Sequence, residues 1–230
     1  MRLTGRCMKL LQLLRAARWL STGQIHRRFF AAATKDAARK RLRKLTRSRL
    51  LVMVQEYRMQ EALFTLGPEG KRALELAGAE DVVLERRAPK QRDHFLAIND
   101  LRIAAEQAGS LSYFFACWEL AAVNWHQPII PDAVFAMHQR TFAAEFDRGH
   151  ENIGFFVKTK VPAYGRGFDG LPLTAILILT DRTARMKSLA KAISDEHGRF
   201  LFSTIDLVRE HGLLARVFYE GANGQPVALL

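Results

Sequence analysis

Cysteine is nearly missing from this chain: Cys7 and Cys117 lie far apart, with no CxxC pair and no Cys/His companions. That excludes a disulfide framework and a structural zinc, and predicts two reduced structural thiols. Long apolar runs are also missing. The longest, such as "LTAILIL", falls well short of the roughly 20 residues needed to span a bilayer, and no signal-peptide pattern opens the chain. The expectation is a cytoplasmic protein without a membrane partner. There is no GxGxxG, no P-loop, no HExxH, and no Ser-His-Asp spacing above chance, so no nucleotide cofactor or hydrolytic triad is expected. Internal repeats and low-complexity tracts are lacking too.

What is present is apolar residue and positive charge. Of 230 residues, 49% are hydrophobic, enough for two modest cores. The formal net charge is +12 and the isoelectric point about 10.2, which suggests a polyanionic partner. The distribution says more than the sum. Residues 1–92 carry about 22 Lys and Arg against 8 Asp and Glu, whereas the remainder is near neutral. A basic module followed by a neutral one is expected, with boundaries at 1–80, a charged, proline-containing linker over 81–93, and a second module over 94–230.

In the first module, "MKLLQLLRAARWL" places Leu10, Leu13, Leu14, Ala17 and Leu20 at helical spacing. "STGQIHRRFF" begins a second helix capped by Ser21 or Thr22, with Ile25, Phe29 and Phe30 inward. Thr34 caps a third, "KDAARKRLRKLTRSRL", held by one thin apolar stripe of Ala38, Leu42 and Leu45; Asp36, Lys40, Arg43 and Arg47 lie opposite. Like charges packed this densely repel one another, a cost that phosphates relieve. "LLVMVQEY" and "EALFTL" then read as two strands around "RMQ", and "GPEGKRALELAG" as a closing helix with Pro68 near its start.

This order over residues 9–78, with "LSTGQI" opening the second helix and "LFTLGPEGKRAL" after the hairpin, resembles a bacterial winged helix-turn-helix domain. The resemblance implies duplex DNA binding, with the third helix in the major groove and the hairpin beside the backbone or minor groove. The readers it implies are Lys35, Arg39, Lys40 and Arg43, with Arg47 and Arg58 on phosphates.

In the second module, "HFLAINDLRIAAEQAG" reads as a helix ended by Gly109, and "LSYFFACWELAAVNW" is buried as either helix or strand. "PDAVFAMHQRTFAAEFDRG", residues 131–149, reads as a hairpin turning at "HQRT". That register sets Val134 opposite Glu145 and Asp132 opposite Asp147, so all three carboxylates share one face, and Phe135, Met137, Phe142 and Phe146 take the other. The three carboxylates need a balancing charge: a metal, or Arg148, Lys158 or Lys160. Further on, "LPLTAILILTD" is a buried strand, "TARMKSLAKAISDEHG" a helix, "FLFSTIDLV" another strand, and "YGRGFDG" a connector or binding loop. The fold class expected is α+β, with a mixed sheet in the second module.

Pro-Asp, a hairpin and Glu-x-Asp resemble the restriction-endonuclease-like nucleases, whose motif ends in a lysine. On that resemblance Asp132 and Glu145, with Asp147 as a third candidate, are metal ligands for a magnesium ion, and Glu119 is an additional upstream acid. Asp147 stands where the lysine belongs, leaving Lys158 or Lys160 of the next helix to reach the site, with Lys160 the catalytic candidate.

Taken together, the basic module, "HFLAINDLRIA", "CWE", "PDAVFAM", "FAAEFDRG" and "KTKVPAY" are similar to the replication-relaxation family of plasmids and other mobile elements, over about residues 9–205. The family resemblance implies a setting in the replication, relaxation or mobilisation of plasmid DNA. With the winged-helix resemblance it gives the expectation of a sequence-specific double-stranded DNA-binding protein acting as transcriptional regulator or as replication or mobilisation accessory factor. A homodimer is expected because one winged helix covers only a short half-site. The alternative is a magnesium-dependent DNA nuclease or nickase using Asp132 and Glu145.

Overall fold

The computed structural model describes residues 3–123, 125–168, 170–193, 200–222 and 224–230. The chain divides into two compact units, Met1–Asn99 and Asp100–Leu230. Helices and a mixed sheet together make an α+β protein. No helix among the described residues is long and apolar enough to cross a membrane.

The first unit opens with helix α1 (Gly5–Ala17), whose N-cap Thr4 accepts a hydrogen bond from the Cys7 amide. Leu10, Leu13, Leu14 and Ala17 are buried as their spacing requires. Leu20 departs from the expectation. The helix ends at Ala17 because Arg18 takes a left-handed φ of 57°, and Leu20 instead forms strand β1 (Leu20–Ser21), opposite Phe64. The carbonyls of Ala17 and Trp19 accept from Asn99 Nδ2 at 3.0 and 2.8 Å, which satisfies polar groups that the helix end leaves open.

Ser21 caps α2 (Thr22–Phe29) in a capping box with Gln24, which also donates to the Leu96 carbonyl at 2.7 Å. Ile25 is fully buried, but Phe29 and Phe30 are only half-buried, with Arg28 and Arg6 stacked over their rings. Thr34 caps α3 (Lys35–Arg47). Strands β2 (Leu51–Val54) and β3 (Leu63–Leu66) pair antiparallel, Leu51 opposite Leu66, and β1 completes a three-stranded sheet in the order β1-β3-β2. Pro68 starts α4 (Pro68–Leu76). A Cβ on Gly70 would lie 2.2 Å from the Leu50 carbonyl oxygen, so α4 approaches the backbone before β2 more closely than any side chain permits.

Helix α5 (Arg92–Ala108) contains the division between the units. It ends at Gly109, where φ is 77°. "LSYFFACWELAAV" resolves into strand β4 (Leu111–Ala116), the short helix α6 (Cys117–Leu120) and a 3-10 turn at Ala121–Val123. Strands β5 (Ala133–Met137) and β6 (Arg140–Asp147) form the hairpin.

The hairpin's register differs from expectation. Its turn is the two residues His138 and Gln139, both at positive φ (48° and 60°), so Met137 pairs with Arg140 and Val134 faces Ala143 rather than Glu145. A two-residue turn of this handedness matches the twist of the flanking strands, which draws Arg140 and Thr141 into β6. The pairing moves by two residues, and a shift of two preserves which face each side chain occupies.

Helix α7 (Ile153–Gly165) leads to β7 (Ala175–Thr180), α8 (Thr183–Ala192), β8 (Phe200–Thr204), α9 (Ile205–His211), β9 (Phe218–Tyr219) and β10 (Pro226–Val227). The expected strand "FLFSTIDLV" is therefore half strand, half helix: Thr204 ends β8 and caps α9 through the Leu207 amide. Residues 194–198 of the helix expected after Thr183, and Asp169 of "YGRGFDG", lie outside the described residues. The sheet has seven strands in the order β10-β9-β8-β7-β6-β5-β4, with β6, β7 and β8 parallel and the other neighbours antiparallel. On one face Val134, Ala143, Ile176 and Ile178 pack with Phe156, Tyr164 and Leu189. On the other, the rings of Phe114, Phe135 and Phe142 lie in succession, 5.6 and 5.3 Å apart.

Candidate functional site

Two constellations carry the charged chemistry. In the first unit, α3 buries Ala38, Leu42 and Leu45 and exposes Lys35, Arg39, Lys40, Arg43 and Arg47. Asp36 pairs with Arg39, at 3.1 Å. Arg41 turns away from this row and donates to Cys7 Sγ at 2.8 Å. Burial pushes the Cys7 thiol up, but the Thr4 and Arg41 contacts outweigh it and leave the thiol below its ordinary value.

A groove of about 420 Å³ runs between α3 and the β2–β3 hairpin, and it brings together Arg39, Arg43 and Arg58. Lys35, Lys40 and Arg47 stand outside it, exposed. The connection between the strands is organised from within. Gln55 Nε2 donates to the carbonyls of Arg58 (3.1 Å) and Gln60 (2.7 Å), and the Gln60 amide donates to the Tyr57 carbonyl. Glu61 accepts from the Gly23 amide at 2.6 Å, fixing the base of the loop.

In the second unit Glu145 and Asp147 lie on one face of β6, and each has found a cation. Glu145 is 2% exposed. Its Oε2 accepts from Lys160 Nζ at 2.9 Å and its Oε1 from the Tyr164 hydroxyl at 2.6 Å. Burial, reinforced by the charge of Asp132, pushes the Glu145 carboxyl up to about 7, against the pull of Lys160 and Tyr164. Burial works against the Lys160 ammonium, but Glu145, Glu151 and Asp132 outweigh it and hold the lysine above its ordinary value. The same neighbourhood pushes Cys117 up to about 11, through burial first and then Asp132.

Asp147 is held bidentately by Arg185 of α8, at 3.1 and 2.7 Å, and accepts from the Gly149 amide. Asp132 Oδ2 accepts from the Phe146 amide at 2.7 Å. Of the three cations expected to balance this face, Lys160 does so; Arg148 pairs with Asp181 and Lys158 is exposed. Glu119 is drawn elsewhere. Its Oε2 accepts from Arg102 Nη2 and from the Ala116 amide, while Arg102 Nη1 donates to the Phe114 carbonyl and the guanidinium stacks on the Phe114 ring.

Arg185, Arg102 and Tyr164 were not singled out from the sequence. Tyr164 was within reach of it, since it follows Lys160 by four residues on one helix and so shares its face. For Arg185 the signal was weaker, a cation next to the inward Met186 of an amphipathic helix.

The carboxylates do not fit a magnesium ion as they stand. Both oxygens of Glu145 and both of Asp147 already accept from cationic or hydroxyl donors, and among the described residues no three His, Cys, Asp or Glu side chains are arranged as metal ligands.

The fold and these constellations define a two-unit α+β protein with an exposed cationic helix in one unit and buried acid–base pairs on a mixed sheet in the other. The chain belongs to the replication-relaxation family, whose description matches residues 11–168. Neither a curated protein nor a solved structure matches it significantly.

Proposed function

We propose that the protein is a sequence-specific double-stranded DNA-binding protein of a plasmid or other mobile element, acting as a transcriptional regulator or as a replication or mobilisation accessory factor. One observation carries the reading: six lysines and arginines, Lys44 among them, stand exposed along α3, on a helix anchored by three buried side chains, beside a groove that adds Arg58. The first unit is then a winged helix-turn-helix, with α2 and α3 as its helix pair and the β2–β3 hairpin as its wing. In this arrangement α3 enters the major groove, Lys35, Arg39, Lys40 and Arg43 face base edges, and Arg47 and Arg58 meet phosphates. Family membership is in keeping with a role on plasmid DNA.

The test is fluorescence anisotropy of the full chain on labelled duplex across a salt series. Affinity is expected to fall steeply with salt, as released counterions require. The Arg39→Ala/Lys40→Ala/Arg43→Ala variant is expected to lose specific binding and to flatten the salt dependence. Wild-type affinity in that variant would remove α3 from the interface.

For the second unit, the order α5, β4, β5, β6, α7, β7, with the short α6 inserted between β4 and β5, an antiparallel meander followed by a parallel strand, supports a restriction-endonuclease-like core. Asp132 then lies just before the second strand and Glu145 in the third. The competing reading is metal-dependent DNA cleavage by Asp132 and Glu145, and Lys160 beside Glu145 favours it, since a lysine from α7 then reaches the acidic face that lacks the motif lysine. That chemistry requires Lys160 and Tyr164 to release Glu145 to a cation. Magnesium-dependent cutting, lost in both Asp132→Ala and Glu145→Ala, would establish it over the non-catalytic reading.

A further inference from the structure

The tip of the β2–β3 hairpin carries large apolar side chains that the described residues leave exposed. Met59 is 95% exposed and Tyr57 71%, flanking the exposed Arg58. Held out to water, they forgo the burial that such side chains normally find. Their presentation is fixed. Gln55 binds the carbonyls of Arg58 and Gln60, the Gln60 amide binds the Tyr57 carbonyl, and Glu61 is turned back onto Gly23. Arg58 and Met59 of the tip also form one wall of the groove toward α3, which Arg39, Arg43 and Glu61 line as well.

Resting on the DNA-binding reading above, we infer that Met59 and Tyr57 form a wedge that enters the minor groove and partly unstacks a base step, deforming the duplex. The groove between α3 and the hairpin seats one sugar–phosphate ridge, with Arg58 on its phosphates, while Arg39 and Arg43 on the α3 wall reach past it to base edges. With that ridge in the groove, α3 lies on its major-groove side and the tip on its minor-groove side. An apolar side chain aimed at the minor groove gains most by inserting between base pairs, where it is covered by base faces, and the bend that results brings more backbone onto the cationic face. A tip that only tracked phosphates would carry lysine or arginine at positions 57 and 59. Because unstacking is easiest at pyrimidine–purine steps, the wedge would also confer sequence preference at base pairs that no polar side chain reads.

The experiment measures DNA unwinding, which needs no knowledge of the recognised sequence. Nicked circular plasmid is sealed by ligase in the presence of the full chain, and the linking number is read on a gel. Occupancy is measured in parallel by anisotropy, and variants are compared at matched occupancy. Wild type is expected to lower the linking number in proportion to bound protein. Tyr57→Ser/Met59→Ser is expected to retain less than about half of that change per bound protein, since the inserted side chains are its cause. Arg58→Ala is expected to weaken binding but to keep the full change at equal occupancy. Thermal melts check that each variant is folded. Binding by wild type without a change in linking number would overturn the wedge while leaving DNA binding intact, as would an equal change in the double variant. Failure of wild type to bind duplex at any salt would overturn both.

Discussion

Glu145 shows how much one buried side chain can constrain. With its carboxyl pushed up to about 7, the folded state holds a proton through a window in which the unfolded chain, near the ordinary value of 4.5, does not. The native state binding the extra proton means that this group's contribution to stability falls as pH rises through that window. Lys160 acts with the same sign but only at alkaline pH, because a raised lysine stabilises fully below its unfolded value and that contribution is lost as pH rises through the folded value. Removing the cation therefore has a pH-dependent consequence. Lys160→Met is expected to leave Glu145 buried beside Asp132 with no countercharge and to lower stability at pH 8 by about 3 kcal/mol. At pH 5, where Glu145 is protonated, the loss is expected to be much smaller. Glu145→Gln is expected to be milder at pH 8, since Lys160 keeps Glu151 at 3.5 Å. Thermal or urea melts at the two pH values decide it, and a pH-independent deficit in Lys160→Met would contradict the account. Lys160 was among the cations that the sequence offered for this face. The choice between it, Arg148 and Lys158 was not legible there, because it depends on which turn of α7 passes over Glu145.

At the scale of the element, β4 is a sheet edge without a single charged residue, "LSYFFA", with Phe115 partly exposed. Such edges recruit further strands. Here the Phe114 carbonyl and the Ala116 amide, two residues apart and so directed to the same side of the strand, are taken by Arg102 and Glu119. The ion pair stands where a neighbouring strand would bond. Arg102 is held there against a strong burial penalty, which lowers its guanidinium below the ordinary value despite Glu119. Arg102→Met is expected to destabilise the protein by about 3 kcal/mol, by stranding Glu119, and to open the edge, so that light scattering grows with concentration. Glu119→Gln, which can still accept from Ala116, is expected to scatter less. Scattering at the wild-type level in Arg102→Met would show that the edge is protected by something else. The strand itself was only half legible. "LSYFFACWEL" is apolar throughout and has no period to distinguish strand from helix, and the break falls at Cys117, whose amide turns to the Asp132 carbonyl.

At the scale of the whole molecule, the charge partition gives the full chain a definite expectation. One cationic helix covers a short stretch of duplex, and two copies related by a two-fold axis read a symmetric site with more affinity than one. The full chain is expected to sediment as a homodimer at micromolar concentration. With β4 closed by Arg102 and Glu119, that dimer is expected to survive substitutions confined to the β4 edge. A monomer by sedimentation, with a footprint of a single half-site, would count against it.

The sequence by itself determined that α1 to α4 and the two hairpins exist and in what order, which faces of α1 and α3 turn inward, and where the positive charge is concentrated. It also determined that Glu145 and Asp147 share a face, since alternation along a strand is a local rule. These are all short-range consequences of periodicity, capping and sterics, and the caps at Ser21 and Thr34 and the first-turn proline, Pro68, fall where the residue types place them. Tertiary structure alone decided the partners. Arg185 meets Asp147 from 38 residues away, and Arg102 meets Glu119 across the edge of a strand. Those meetings depend on the order of strands in the sheet and on the turn of each helix that crosses it. The hairpin register was decided there too, because His138 and Gln139 adopt positive φ without the glycine or asparagine that announces such a turn. No periodicity encodes pairings of this kind, because they follow from packing, which sums contacts over the whole unit.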